Sequence, residues 1–201
     1  MRTGASSSRG PAPQRQDPPP GDDAAIIAAV VAGNLTALGT LYDRYNEDVR
    51  RFVLRMTLRS ADADDIVHDV FLALPDAGAT YDGRACARPF LLGIAGQMLR
   101  ERARKRARVL RVLSAFGETL TRLVSRTPED EASASRELEL LEEAFLRLSE
   151  EKRVVLLMVE REGLSGDEVA AALGIPVATV WTRLHYARAE VRSLLAKRRR
   201  T

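Results

Sequence analysis

The sequence predicts an all-α protein made of two small helical domains joined by a flexible linker. Three observations carry that expectation. From Asp22 onward apolar residues recur at helical spacing almost without a break, and no segment alternates as a half-buried strand would. Aromatic residues make up only 5% of the chain, which suits small helical domains better than a sandwich or barrel. A stretch rich in Ser, Thr, Pro, Glu and Asp at 125–134 divides the helical pattern in two. A length of 201 residues accommodates one large domain or two small ones.

The elements follow in order. Residues 1–21 are rich in Pro, Ser, Gly and Gln and cannot bury a core, so they are expected to form a disordered tail. The first domain spans 22–108. Asp22 and Asp23 open a short helix to residue 31, stopped by Gly33. Asn34 caps a long amphipathic helix with Leu35, Leu38, Leu41, Tyr42, Tyr45, Val49, Phe52, Val53 and Met56 inward. A third helix over 62–74 is broken at Pro75, a loop follows to residue 88, and a fourth helix runs from Phe90 to 108. Residues 109–134 form the linker, weakly helical over 109–124. The second domain spans 135–196, with helices at 138–148 and 150–161 ahead of a final pair, and 197–201 is a basic tail.

That final pair, over 164–188, is the most informative segment. Ser165 can cap a first helix whose opening turn carries Asp167 and Glu168, where negative charge complements the helix dipole. Gly174 suits a left-handed C-terminal cap, and Pro176 allows a second helix to start directly after it. On that second helix Val180, Leu184, Ala187, Val191 and Leu194 make one apolar stripe. Ala178, Thr182, His185 and Tyr186 lie opposite, flanked by Thr179, Trp181 and Arg183. A helix-turn-helix of this kind places its second helix in the major groove of DNA, where base edges are read. The plainer alternative is a helical hairpin with a solvated face.

Charge and composition narrow the function. Net charge is +3, and basic residues crowd at 100–111 and 197–200, each at the end of a helical pattern. Solvated faces would explain such runs, but beside a helix-turn-helix they favour phosphate contact. The single cysteine, Cys86, forms no internal disulfide and fits a reducing cytoplasm. The longest apolar run, 24–32, falls far short of the roughly 20 residues a membrane span needs, so no membrane insertion is expected. Nor do the opening residues have the apolar core of a signal peptide. The two histidines, His68 and His185, lie far apart without a Cys or His partner at metal spacing, and no glycine-rich phosphate loop or nucleophile–base pair is present. No enzyme activity, metal or cofactor is therefore expected. Asp62, Asp64, Asp65 and Asp69 cluster on one helix. They can complement the helix dipole, or form an acidic patch for a protein partner.

These motifs together resemble the extracytoplasmic-function group of the sigma-70 family, bacterial RNA polymerase sigma factors built from helical regions 2 and 4. The similarity covers everything between the tails and weakens across the linker. Residues 33–45 resemble the family's opening segment, and 62–72 its most recognisable helix. Residues 89–99, followed by Arg102, Arg104, Lys105 and Arg106, resemble the helix that binds and opens the minus-ten promoter element. Residues 148–157 and the helix-turn-helix resemble the minus-thirty-five reader.

The resemblance implies partners and site residues. Core RNA polymerase would be bound at its β′ clamp, through Asp65, His68 and Asp69, and at its β flap. Promoter DNA would be read at minus-thirty-five by Ala178, Thr179, Trp181, Thr182, Arg183, His185 and Tyr186. At minus-ten, where unpaired bases are captured and phosphates held, the residues would be Tyr81, Asp82, Arg84, Gln97, Arg100, Arg104 and Lys105. For Tyr81 base stacking and plain packing both remain open. An anti-sigma factor would control the protein. The chain departs from the family pattern at Phe90, Gly93, Gly96 and Gln97 in the melting helix, at His68 and Pro75 around the clamp helix, and at Trp181 and Tyr186 in the recognition helix.

Overall fold

The structure, a computed structural model, describes residues 20–58, 63–83, 86–114 and 136–198. The elements are α1 (Pro20–Val31), α2 (Leu35–Thr57), α3 (Ala63–Leu72), α4 (Leu74–Ala77), a single 3-10 turn (Gly78–Thr80), α5 (Ala87–Ser114), α6 (Arg136–Arg147), α7 (Glu150–Glu160), α8 (Gly166–Leu173) and α9 (Val177–Arg198). No strand occurs among the described residues. The expected tail up to residue 19, most of the expected linker and the last residues of the basic tail lie outside the described residues.

The first unit is arranged around α2. Asn34 caps it, its side-chain oxygen accepting the Ala37 N–H at 3.1 Å. Leu41, Tyr45, Val49, Phe52, Val53 and Met56 are buried, as the helical period requires. Leu35, expected to face inward, is 79% exposed at the first position of the helix. α1, α3 and α5 pack on α2, and α4 closes against α1.

Three boundaries differ from the sequence expectation. α1 begins at Pro20, since proline's fixed backbone angle is tolerated in a first turn. Pro75 does not end the third expected helix in a loop. It sits in the first turn of α4, where its missing N–H is no loss, so the stretch expected as loop carries a helical turn and the 3-10 turn. α5 starts three residues before Phe90 and continues to Ser114, into the segment expected as linker.

In the second unit α6, α7 and α8 surround α9. The two units do not stand apart. α8 and α7 pack on α5, α7 also touches α2, and the buried residues of both units form one continuous apolar cluster.

Candidate nucleic-acid and polymerase interfaces

The helix-turn-helix has the local chemistry its sequence calls for. Ser165 Oγ accepts the Glu168 N–H at 3.3 Å, and the Glu168 carboxylate accepts the Ser165 N–H at 2.8 Å. This reciprocal capping box satisfies two donors that a helix start otherwise leaves open. α8 ends at Gly174, whose φ of +62° is left-handed, and the Ile175 N–H reaches back to the Ala170 carbonyl at 3.1 Å. The Pro176 carbonyl accepts from the N–H groups of Thr179 and Val180, which starts α9.

On α9, Val180, Leu184 and Ala187 are buried, while Val191 and Leu194 are half-buried. Ala178, Thr182, His185 and Tyr186 are exposed on the other side. His185 and Tyr186 meet edge to face at 5.6 Å, and the Lys152 ammonium stands 6.0 Å from the Tyr186 ring. The Thr182 hydroxyl donates to the Ala178 carbonyl at 2.8 Å. Trp181 is 51% exposed, and its other side lies over Gly166, where an added Cβ would come within 2.6 Å of the ring. Its position is therefore shared between surface display and packing. Thr179 is half-buried, as is Arg183, whose buried Nη1 has no hydrogen-bond partner among the described residues.

The residues assigned to the minus-ten element are spread more widely. Tyr81 is half-buried against Phe90, ring centroids 5.2 Å apart, and burial followed by the Asp23 carboxylate pushes its phenol up to about 12. Asp82 is exposed, and Arg84 lies outside the described residues. Along α5, Gln97 and Lys105 are exposed. Arg104 pairs with Glu151 of α7 at 3.0 Å. Arg100 is half-buried, its guanidinium pulled below the usual range by burial and then by the nearby Arg183. Arg102 pairs with Asp69 at 2.5 Å. The basic run is thus partly committed to carboxylates of neighbouring helices.

On α3 the apolar residues Ile66, Val67, Val70 and Phe71 face the core, and Asp65, His68 and Asp69 are exposed together. Leu72 extends the same surface and is 66% exposed. His68 meets the Tyr42 ring edge-on at 6.0 Å. Asp64 turns away to Arg50, at 2.8 Å, and Asp62 lies outside the described residues.

One residue that sequence reasoning treated as a helix opener is the polar centre of this unit. Asp23 is fully buried and accepts from Arg44 Nη1 at 2.6 Å, Tyr45 Oη at 2.6 Å and the Ala87 N–H at 2.8 Å. It ties α1 to α2 and to the start of α5. The signal was present: Asp23, Ile27 and Val30 share one face at helical spacing. Burial, then the bond to Asp23, holds the Tyr45 phenol well above its ordinary range, so it stays a donor.

Comparison with known proteins agrees with this architecture. The family profile "Sigma-70 region 2" matches residues 41–109, and "Sigma-70, region 4" matches 138–191. The ECF RNA polymerase sigma factor SigL of Mycobacterium tuberculosis is 31% identical over 168 residues, covering 81% of this chain and 91% of SigL. The RNA polymerase sigma factor CnrH of Cupriavidus metallidurans is 30% identical over 182 residues, covering 86% and 94%. Among solved structures, CnrH in complex with the cytosolic domain of CnrY superposes with a TM-score of 0.58 at 25% identity, over 87% of this chain and 97% of CnrH. The sigma factor RpoE in complex with the anti-sigma factor NepR from Bartonella quintana shares the fold, with a TM-score of 0.59 at 20% identity over 79% and 96%. Two helical units in this order, the second ending in a capped helix-turn-helix, together with these similarities, place the chain in the sigma-70 family as an extracytoplasmic-function RNA polymerase sigma factor.

Proposed function

We propose that this sigma factor divides its work between three surfaces. As a member of its family it binds core RNA polymerase and directs promoter-specific initiation of transcription. The exposed α3 surface of Asp65, His68 and Asp69 would engage the polymerase β′ clamp, and the second unit the β flap. The exposed side of α9, with Ala178, Thr182, His185 and Tyr186 at its centre and Thr179, Trp181 and Arg183 at its margin, would read the minus-thirty-five element in the major groove. The loop with Tyr81, Asp82 and Arg84, together with Gln97, Arg100, Arg104 and Lys105 of α5, would capture the opened minus-ten strand.

The observation that carries this reading is α9 itself: a 22-residue helix with one buried stripe and an opposite face left open to solvent. The protein acts by binding, not by catalysis, and works in the cytoplasm, where core polymerase and promoter DNA are found. No described helix is long and apolar enough to cross a membrane. An anti-sigma factor would hold it inactive. Support comes from RpoE, solved with the anti-sigma factor NepR, and from CnrH, solved with the cytosolic domain of CnrY.

The test is transcription in vitro from a pool of genomic promoters with purified core polymerase, with and without this protein. New start sites sharing two spaced motifs are expected. Binding to core without new starts would overturn the promoter-reading assignment, and absence of binding to core would overturn the α3 assignment.

A further inference from the structure

Glycine is disfavoured within helices, so each one found there asks for a packing reason. At Gly93 of α5 an added Cβ would lie 2.2 Å from the Ala172 carbonyl oxygen of α8, and at Gly96 it would lie 3.0 Å from a Val154 methyl of α7. Those two let helices approach one another. At Gly166 the neighbour is of another kind. An added Cβ there would come 2.6 Å from Cζ2, 2.9 Å from Cε2 and 3.2 Å from Nε1 of Trp181. Gly166 is buried in the first turn of α8 and its φ is not left-handed, so the backbone itself does not call for glycine. The missing side chain leaves room for the indole ring.

The seat is stiff, and the ring on it is half displayed. The Ser165–Glu168 capping box fixes the start of α8 on both sides of Gly166. Buried Val180 and Leu184 anchor the turns of α9 that carry Trp181. Ala178, Trp181, Thr182 and His185 fall at i, i+3, i+4 and i+7, so the ring shares one stripe with the residues assigned to the minus-thirty-five element. In a helix-turn-helix the N-terminal residues of the second helix meet base edges while the first helix crosses the backbone. A ring carried near the start of α9 and braced on the start of α8 therefore stands where base edges and backbone meet.

The stripe is poor in groups that recognise guanine or adenine. Those bases are read best by the paired donors and acceptors of Arg, Lys, Asn or Gln. No Lys, Asn or Gln occurs over 177–188. Arg183 is half-buried with its Nη1 enclosed, and Arg188 is paired with Glu160 at 2.5 Å. The Thr182 hydroxyl donates to the Ala178 carbonyl, which commits its proton to the helix and leaves its methyl for a base. The groups that remain at the start of the stripe are apolar: the Ala178 and Thr182 methyls and the Trp181 ring. Thymine is the base that presents an apolar group, its 5-methyl, in the major groove.

We propose that Trp181 is a specificity-determining residue that reads the 5-methyl group of thymine in the minus-thirty-five element, and that Gly166 is the residue that positions it. The inference rests on the promoter-reading assignment above. A rigid ring with few torsions, held against a helix, presents its outer face at little entropic cost. Its contact with a methyl group is short-ranged, so a displacement of less than an ångström removes much of it. The ring is the movable partner at position 166. A Cβ there displaces the indole and leaves the α8 backbone in place.

The experiment uses holoenzyme assembled from the full chain and core polymerase, on promoters recovered by the transcription test above. Each thymine of the minus-thirty-five element, on either strand, is replaced in turn by deoxyuridine, which lacks only the methyl group. Wild-type holoenzyme is expected to bind at least one substituted promoter about fourfold more weakly, the worth of one buried methyl group. Trp181→Ala should bind thymine and deoxyuridine at that position equally. Gly166→Ala keeps the tryptophan and should lose the same discrimination, with its helical circular dichroism unchanged. Trp181 is the one tryptophan of the chain, so its emission in the free protein reports the seat directly and should shift to the red in Gly166→Ala. The double variant should bind no more weakly than Trp181→Ala. Deoxyuridine leaves the protein untouched, so that arm decides the matter even where a variant fails to fold. Equal binding of wild-type holoenzyme to every substituted promoter, an element with no thymine on either strand, or wild-type discrimination in folded Trp181→Ala would overturn the thymine reading. Wild-type discrimination in folded Gly166→Ala would overturn the seat. Indifference of the wild-type holoenzyme to every base change across the element would instead remove the minus-thirty-five assignment itself.

Discussion

Asp23 shows how much one buried carboxylate can organise. Its two oxygens take three donors, Arg44 Nη1 and Tyr45 Oη from α2 and the Ala87 N–H from α5. Removing it leaves the Tyr45 hydroxyl and the Ala87 N–H buried and unpaired. Asp23→Ala is therefore expected to lower unfolding free energy by about 3 kcal/mol, read from urea denaturation. Two phenols, Tyr45 buried and Tyr81 half-buried, make a second prediction. Tyr45 and Tyr81 both titrate higher in the folded chain than in the unfolded one, Tyr81 at about 12. The folded state then keeps protons that the unfolded chain gives up. Their contribution is fully present below about pH 10 and is lost as pH rises through the folded values. Urea midpoints measured from pH 9 to 12 should fall, and Tyr81→Phe should flatten part of that fall.

At the scale of the element, the capped helix-turn-helix separates folding from reading. Its stability resides in the Ser165–Glu168 box, the left-handed Gly174 and the Val180, Leu184 and Ala187 stripe. His185 and Tyr186 lie outside that set and are exposed. His185→Ala and Tyr186→Ala are each expected to change stability by less than about 0.5 kcal/mol. They should weaken binding to a minus-thirty-five duplex by about 1 kcal/mol or more, measured by fluorescence anisotropy. α3 permits a similar separation. Asp65 is exposed and makes no ion pair among the described residues, whereas Asp69 holds Arg102. Asp65→Arg is thus the cleaner probe: it should leave the melting temperature unchanged and reduce affinity for core polymerase. Asp69→Arg would also repel Arg102 and disturb α5.

At the scale of the molecule, a buried bridge from Glu162 to Arg55 and Arg88 joins two units that each possess their own helical frame. With the bridge intact the shared apolar cluster should make them unfold together. Glu162→Ala leaves Arg88 buried beside Asp48, 3.8 Å away, as its remaining acid. Scanning calorimetry is expected to show one transition for the wild-type chain and two separated transitions for Glu162→Ala. A single unshifted transition in the variant would show that apolar contact alone couples the units.

Much of this was legible in the linear chain. The α2 stripe, the Asn34 cap, the capping box and Gly174 are local chemistry, set by residues within one or two turns of each other, and the helical period exposes them directly. The order of the motifs identified both units for the same reason. Tertiary contact decided the rest. Pro75 opens a turn because α4 finds a place against α1, and Leu35 is exposed although it falls on the apolar stripe of α2. Asp23 became a buried hub only once Tyr45 and Ala87, distant in sequence, were brought beside it. Gly93 and Gly96 read in sequence as departures in a DNA-binding helix. Their role depends on α7 and α8, which the chain reaches more than fifty residues later. Periodicity and capping act through neighbours and are written in the sequence. Close approach and buried charge act between distant segments, so only the folded arrangement reveals them.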